Sequence, residues 1–198
     1  MARVAEQCAA PFGAVDVVVN CAGVNLRQPW DEITPESWAE QLDLHLAVPF
    51  FLAREFVPGM TAKGRGKVIN IASLTSTRAM PNSLPYSTAK GGTLMLTKSM
   101  AETWGERGIT ANAIAPGYFE TELTAAVFAD NKRASTLANS TALGRNGKLD
   151  DLVGAAVFLA SGASDYITGQ TLYVDGGFTA MGLPRGATDN NSPTKSKL

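Results

Sequence analysis

KVINIASLTSTRAMPNSLPYSTAK, residues 67–90, passes from an apolar run through a loop into a helix-forming segment that opens near Tyr86. KVINIA is short and rich in β-branched residues, which reads as a buried strand, and Ser73 then sits at its carboxyl end. Open α/β sheets place their ligands at that end. Tyr86 and Lys90 are four residues apart, so a helix stacks them on one face a single turn from each other. A phenol titrates at about 10 and is a poor base at neutral pH unless a neighbouring cation lowers its proton affinity. Lys90 supplies such a cation. The spacing alone is commonplace, so the surrounding chain has to carry the case.

Upstream, RVAEQCAAPFG reads as a helix ending near Gly13, and AVDVVVN as a fully buried strand. That strand stops in Asn20-Cys21-Ala22-Gly23, small residues that let a ligand approach the backbone, with a plain turn as the ordinary alternative. Thr34-Pro35 starts a helix that runs through WAEQLDLHLAVPFFLAREFV. It carries His45, the single histidine, and a lone histidine on such a helix is ordinarily a structural residue. Downstream, the Tyr86 helix runs to a glycine stop at Gly108, and ITANAIAP forms the next strand, ended by Pro116-Gly117. Residues 118–146 read as a helical excursion placed to cover a site. Asp150 and Asp151 begin a further helix, and TGQTLYVDGG supplies the last strand. The alternation predicts an α/β fold, a doubly wound parallel sheet with helices on both faces and right-handed crossovers.

The 198 residues fit one domain, expected over 1–181, followed by a polar tail over 182–198 with no aromatic residue and no reason to fold. Seventeen basic and 18 acidic residues give a net charge of -1, which argues against nucleic acid or an anionic membrane as partner. No apolar run reaches the roughly 18 residues of a membrane span, so a soluble intracellular protein is expected. Cys8 and Cys21 lack metal-ligand spacing and read as a reduced pair, and no metal site is expected. The chain ends in Ser196-Lys197-Leu198. At an extreme carboxyl terminus this tripeptide is the address read by the peroxisomal import receptor, so the expected location is the peroxisome in a eukaryote and otherwise the cytoplasm.

With these residues in place, the chain from residue 1 to about 180 resembles the short-chain dehydrogenase/reductase family. Asn20-Cys21-Ala22-Gly23 is similar to the family's Asn-Asn-Ala-Gly. Ser73 precedes Tyr86 by thirteen residues as in the family, and Tyr86 with Lys90 matches its Tyr-x-x-x-Lys. Pro116-Gly117 with Thr121 resembles the segment that holds the nicotinamide end, and Val174-Asp175-Gly176-Gly177 the closing strand. NLRQPWDEITPESW and SDYITGQTLYVDGGFTA look most like the branch acting on sugar acids such as gluconate. The resemblance implies a Rossmann-like fold and NAD- or NADP-dependent hydride exchange between a secondary alcohol and a ketone, of sugar-acid, polyol or 3-oxoacyl type. It implies that Ser73 binds the carbonyl oxygen, that Tyr86 exchanges the proton, and that Lys90 both lowers the phenol's proton affinity and holds the nicotinamide ribose. Cofactor contacts carry over to Asn20, Ala22, Gly23, Tyr86, Lys90, Pro116, Gly117 and Thr121. The family commonly assembles through its long helices, which here fall near residues 45–58 and 86–105, so a homo-oligomer is implied.

Two departures modify that expectation. The family usually has an asparagine where this chain has His45, and it holds the water of a proton relay to the lysine. A neutral imidazole can donate and accept, so His45 either continues the relay with a group titrating near neutral pH or belongs to an altered core. The family's first strands and its glycine-rich pyrophosphate turn have no counterpart in the sequence, and the strand that selects NAD or NADP is among them. The reading is therefore of an N-terminally truncated member that binds dinucleotide weakly and leaves VDVVVN as an exposed edge. The alternative is a catalytically inactive chain that acts by assembling with a full-length relative.

Overall fold

A computed structural model describes residues 1–11 and 13–182; residues 183–198 of the expected tail, with Ser196-Lys197-Leu198, lie outside the described residues. Four strands form one parallel sheet in the order β1 (Val17–Asn20), β2 (Gly66–Ile71), β3 (Ile109–Pro116) and β4 (Thr171–Val174). The register sets Asn20 beside Asn70, Ile71 beside Ile114 and Pro116 beside Val174, so the carboxyl ends finish close to one level. Among the described residues, seven helices accompany the strands: α1 (Ala2–Ala9), α2 (Pro35–Leu42), α3 (Val48–Lys63), α4 (Leu84–Trp104), α5 (Ala125–Phe128), α6 (Asn131–Asn139) and α7 (Asp150–Ala160).

Side chains alternate across the sheet as the period of a strand requires. Val68 and Ala111 turn to one face, where α1, α3 and α4 cover them with Ala5, Phe56, Met60, Met100 and Trp104. Ile69 and Ile114 turn to the other, where Leu159 and the inner alanines of α7 close a second core. On β3, Ala111, Ala113 and Ala115 are fully buried, and their small side chains let α4 lie near the backbone. β1 is the sheet edge among the described residues, and Val19 on it is 50% exposed.

Local chemistry sets the helix ends. Thr34 and Ser37 form a reciprocal capping box at α2, with Pro35 in its first turn. Pro85 likewise places the start of α4 at Leu84, so Tyr86 stands inside the first turn instead of opening the helix. The long helix expected through residues 38–57 is divided by a π-helical turn over Asp43–Ala47, with Val48 N–H donating to Asp43 O. Pro49 explains the break: it has no N–H to return to the carbonyl of His45, four residues back, so the regular ladder cannot continue. The hydroxyl of Thr93, on α4, donates to that carbonyl at 3.5 Å. The excursion after β3 is closed at its neck, where Gly147 N–H donates to Tyr118 O at 2.8 Å, and Arg145 grips Asp151 of α7 through two bonds of 2.6 and 3.0 Å.

Candidate active site

Ser73, Tyr86 and Lys90 meet at the carboxyl end of β2. Ser73 caps the 3-10 turn Leu74–Ser76: its hydroxyl accepts from Thr75 N–H at 3.2 Å, and Ser76 Oγ accepts from Ser73 N–H at the same distance. This fixes Ser73 Oγ near the Tyr86 phenol, where its hydroxyl favours the phenolate. One turn along α4, Lys90 donates from Nζ to Ile71 O at 2.5 Å, and its ammonium lies 5.7 Å from the Tyr86 ring centroid.

The electrostatics differ from the sequence expectation. Burial holds the Tyr86 phenol above its ordinary value, with the Ser73 hydrogen bond and the Arg27 charge pulling the other way. Lys90 faces the ring and is tied to a backbone carbonyl, so desolvation outweighs the cation at this phenol. The same burial lowers Lys90 from 10.5 to about 8, opposed by the Cys21 sulfur. Cys21 and Cys8 are both free and exposed.

His45 completes the cluster. It is 2% exposed, meets Tyr86 edge-on at 5.2 Å between centroids, and places Nε2 2.8 Å from Val24 O. Val24 N–H also lies 3.4 Å from Nε2, but the carbonyl contact is the shorter by far and a carbonyl only accepts, so Nε2 is assigned the proton and Nδ1 the lone pair. Nδ1 is buried without a protein partner. Burial first, and then the Lys90 charge, push the imidazole from 6.5 to about 4, partly offset by the Val24 carbonyl. The near-neutral titration expected of this residue is therefore replaced by a ring that stays neutral at physiological pH. Its Cε1 lies 2.9 Å from where a Cβ on Gly23 would stand, which accounts for a glycine there.

The remaining predicted residues are spread along the same rim. Asn20 Nδ2 donates to Asn70 Oδ1 at 2.8 Å, and Asn70 Nδ2 donates to Thr97 Oγ1 of α4 at 2.9 Å, so a buried amide ties β1, β2 and α4 together. Ala22 and Gly23 are exposed at the end of β1. Gly117 N–H donates to Val174 O at 2.8 Å, and a Cβ at Gly117 would lie 2.6 Å from Asp175 Cα, so Pro116-Gly117 abuts the closing strand. Thr121 is held in a reciprocal turn with Thr124, its hydroxyl 3.0 Å from the other, apart from the Tyr86 cluster. Asn70 and Thr97 were not singled out from the sequence, and Asp175 was read only as part of the closing strand. A lone polar residue inside an apolar strand, as in KVINIA, was the available signal for Asn70. A cavity of about 230 Å³ is lined by Tyr118, Phe119, Arg145, Asp151 and Asp175 and not by Ser73, Tyr86 or Lys90, so the chemistry lies beside it.

These residues fit half of a dinucleotide. Small strand ends, a buried ammonium and the Gly117 backbone suit a nicotinamide riboside, while no glycine-rich strand-to-helix turn for a pyrophosphate occurs among the described residues.

The fold is Rossmann-like, with Ser73, Tyr86 and Lys90 gathered at the carboxyl end of β2. A family model described as Enoyl-(Acyl carrier protein) reductase matches residues 1–179, and the chain belongs to the short-chain dehydrogenase/reductase family. It is 41% identical over 168 residues to a gluconate 5-dehydrogenase of Gluconobacter oxydans (strain 621H), covering 85% of this chain and 66% of that one. It is 39% identical over 166 residues to a 3-oxoacyl-[acyl-carrier-protein] reductase of Vibrio cholerae, covering 84% of this chain and 67% of that one. Among solved structures, the gluconate 5-dehydrogenase of Burkholderia cenocepacia J2315 in complex with NADP and tartrate superimposes with a TM-score of 0.87 at 44% identity, over 91% of this chain and 71% of that one. The chain thus spans about two thirds of the length of the curated relatives it matches.

The histidine shift gives a signed pH dependence. A folded-state value below the unfolded one means that stability is fully present above about 6.5 and is lost as pH falls toward 4. His45→Asn removes that proton uptake. Urea titrations at pH 7 and pH 4.5 should show the wild type losing more stability than the variant, by on the order of 1–2 kcal/mol after allowance for solvent screening. Equal losses in the two proteins would contradict a neutral, buried His45.

Proposed function

We propose that the protein is an NAD(P)-dependent oxidoreductase that interconverts a secondary alcohol and a ketone on a polyhydroxy acid of the gluconate type, with other polyols and 3-oxoacyl compounds as the wider class. The convergence of Ser73, Tyr86 and Lys90 at the carboxyl end of β2 carries this reading. The names of the relatives, gluconate 5-dehydrogenase above all, support the substrate class. Bound NAD(P) supplies the hydride donor or acceptor. Ser73 Oγ donates to the substrate oxygen and holds it against the Tyr86 phenol, which gives its proton to a forming alkoxide in reduction and takes it back in oxidation. A phenol held above its ordinary value suits the donor role. Lys90, at about 8, changes protonation easily near working pH and restores the phenol's proton, with its remaining donors directed to the ribose hydroxyls. His45 Nδ1 is a buried acceptor on the inner side of the cluster and serves as the relay station in place of the family's asparagine. Asn20, Ala22, Gly23, Pro116, Gly117 and Thr121 frame the nicotinamide end.

The absence of a pyrophosphate turn among the described residues supports weak dinucleotide binding. Calorimetric titration with NADPH should give a dissociation constant in the millimolar range, and turnover of gluconate with NADP should require comparable cofactor. Tyr86→Phe should reduce kcat by about 10²–10⁴ with unchanged circular dichroism. A Tyr86→Phe protein as active as the wild type would overturn the mechanism, and micromolar binding of NADPH would overturn the half-site account.

Assembly and location complete the proposal. Phe51 on α3 and Met95 on α4 are 42% and 62% exposed, which supports a homo-oligomer built on these helices. Light scattering should return a multiple of 20.8 kDa, against which a monomeric mass would count. Ser196-Lys197-Leu198 supports delivery by the peroxisomal import receptor in a eukaryotic cell. A fluorescent protein carrying the last dozen residues should then become punctate with a peroxisomal marker, and a diffuse signal would refute the address.

A further inference from the structure

We propose that Arg78 reads the carboxylate of a polyhydroxy-acid substrate, and that the turn following β4 holds its guanidinium in position for that contact. The inference rests on the substrate class proposed above and assigns the residue that selects it.

Arg78 leaves the same 3-10 turn that Ser73 caps, with its own N–H donating to Leu74 O at 3.2 Å. The backbone of Arg78 is therefore anchored five residues along the chain from Ser73. Its side chain crosses to the far end of the chain, where Nη2 donates to Thr179 O at 3.3 Å and Cζ lies 5.5 Å over the Phe178 ring. Phe178 in turn packs edge-on against Tyr118 at 5.2 Å, and the Arg78 charge reaches the Tyr118 phenol. A second tie runs in parallel, from Tyr173 OH to Thr77 Oγ1 at 3.3 Å.

The receiving turn is itself tightly built. Asp175, 8% exposed, accepts from Gly177 N–H at 2.8 Å, Thr179 N–H at 2.8 Å and Thr179 Oγ1 at 2.6 Å. Gly176 and Gly177 take positive φ values of 62° and 81°, which fold the backbone so that the Thr179 carbonyl and the Phe178 face point back toward Arg78. This assigns work to the Val174-Asp175-Gly176-Gly177 segment at the substrate side of the site.

What makes Arg78 a reader of anions is the character of its partners. Both are neutral, a carbonyl and a ring face, and no carboxylate pairs with it among the described residues. A guanidinium offers five donors, and one is used here. The cation is thus held by groups that leave its charge uncompensated, so an incoming carboxylate meets a charge-assisted, bidentate donor whose ordering cost has already been met. Arg27 is the other exposed cation near the cluster, and its charge reaches Tyr86. Its recorded bond is from its backbone to Asn25 Oδ1, so its guanidinium lacks the equivalent mount.

Saturation-transfer NMR on the full chain with NADP present, using D-gluconate and the neutral polyol sorbitol as probes, tests the assignment. The wild type should favour gluconate. Arg78→Gln, which keeps a donor for Thr179 O but no charge, should weaken gluconate roughly tenfold or more and leave sorbitol unchanged. Arg78→Lys should restore part of the preference, and Phe178→Leu should weaken it less than Arg78→Gln. Equal losses for both probes, no preference in the wild type, or a selective loss on Arg27→Gln with Arg78→Gln silent would overturn the proposal. Arg78-dependent gluconate binding without any turnover would instead overturn the oxidoreductase reading and leave this one standing.

Discussion

A buried ammonium at the end of β2 is the constraint on which the site depends. Lys90 is 5% exposed, and its one recorded hydrogen-bond partner is Ile71 O. That carbonyl is free for a geometric reason. Ala72 N–H donates toward β3, to Ile114 O at 2.7 Å, so the carbonyl of the same peptide faces the β1 side. β1 stops at Asn20, beside Asn70, one residue short of where a strand neighbour would meet it. The lysine thus occupies a position that the unequal lengths of two parallel strands create. A longer β1 would pair this carbonyl and remove the lysine's anchor.

From that placement the charge states of the neighbours follow. An ammonium taken out of water is destabilised, which brings Lys90 down to about 8, and its residual positive charge adds to burial in keeping His45 neutral. The neutral imidazole can then hold the Val24 carbonyl and keep an acceptor inside. Tyr86, between them, gains little from the cation because Lys90 spends its short bond on the backbone. Tyr86 and Lys90, ordinarily near 10.0 and 10.5, are therefore moved apart, the phenol up and the ammonium down to about 8, so a proton passes downhill from the Lys90 ammonium to a Tyr86 phenolate.

Much of the frame was legible in the sequence because it rests on local rules. KVINIA and ITANAIAP obey the strand period, Thr34-Pro35 is a capping signal, and Tyr86 and Lys90 share a helix face by spacing alone. What escaped has non-local causes. The π-helical turn at His45 follows from one missing N–H at Pro49, which a hydrophobic pattern does not register. The bond joining Asn20, Asn70 and Thr97 spans three elements far apart in the chain, and only the assembled sheet shows that these polar groups satisfy one another. The sign of the Tyr86 shift was misjudged for a related reason: spacing brings a cation near, but whether it faces the hydroxyl or the ring is a matter of side-chain direction.

The Ser73, Tyr86, Lys90 and His45 cluster stands apart from the outer edge of the sheet. Every group in the Ser73, Tyr86, Lys90 and His45 cluster is held by β2, by the turn after it, by α4 or by the π-helical turn, and those elements are buried against one another. β1 enters only at its tip, through Asn20 and the backbone of Gly23 and Val24. Its outer side, with Val19 half exposed, carries none of that cluster. Whatever pairs with that edge therefore meets none of the Ser73, Tyr86, Lys90 and His45 side chains, which gather at the β2 terminus. Two links join the β1 tip to the cluster, the Asn20-to-Asn70 bond and the contact of His45 with Val24 O, so disturbance there reaches Tyr86 through an amide and the helix it anchors and through the imidazole.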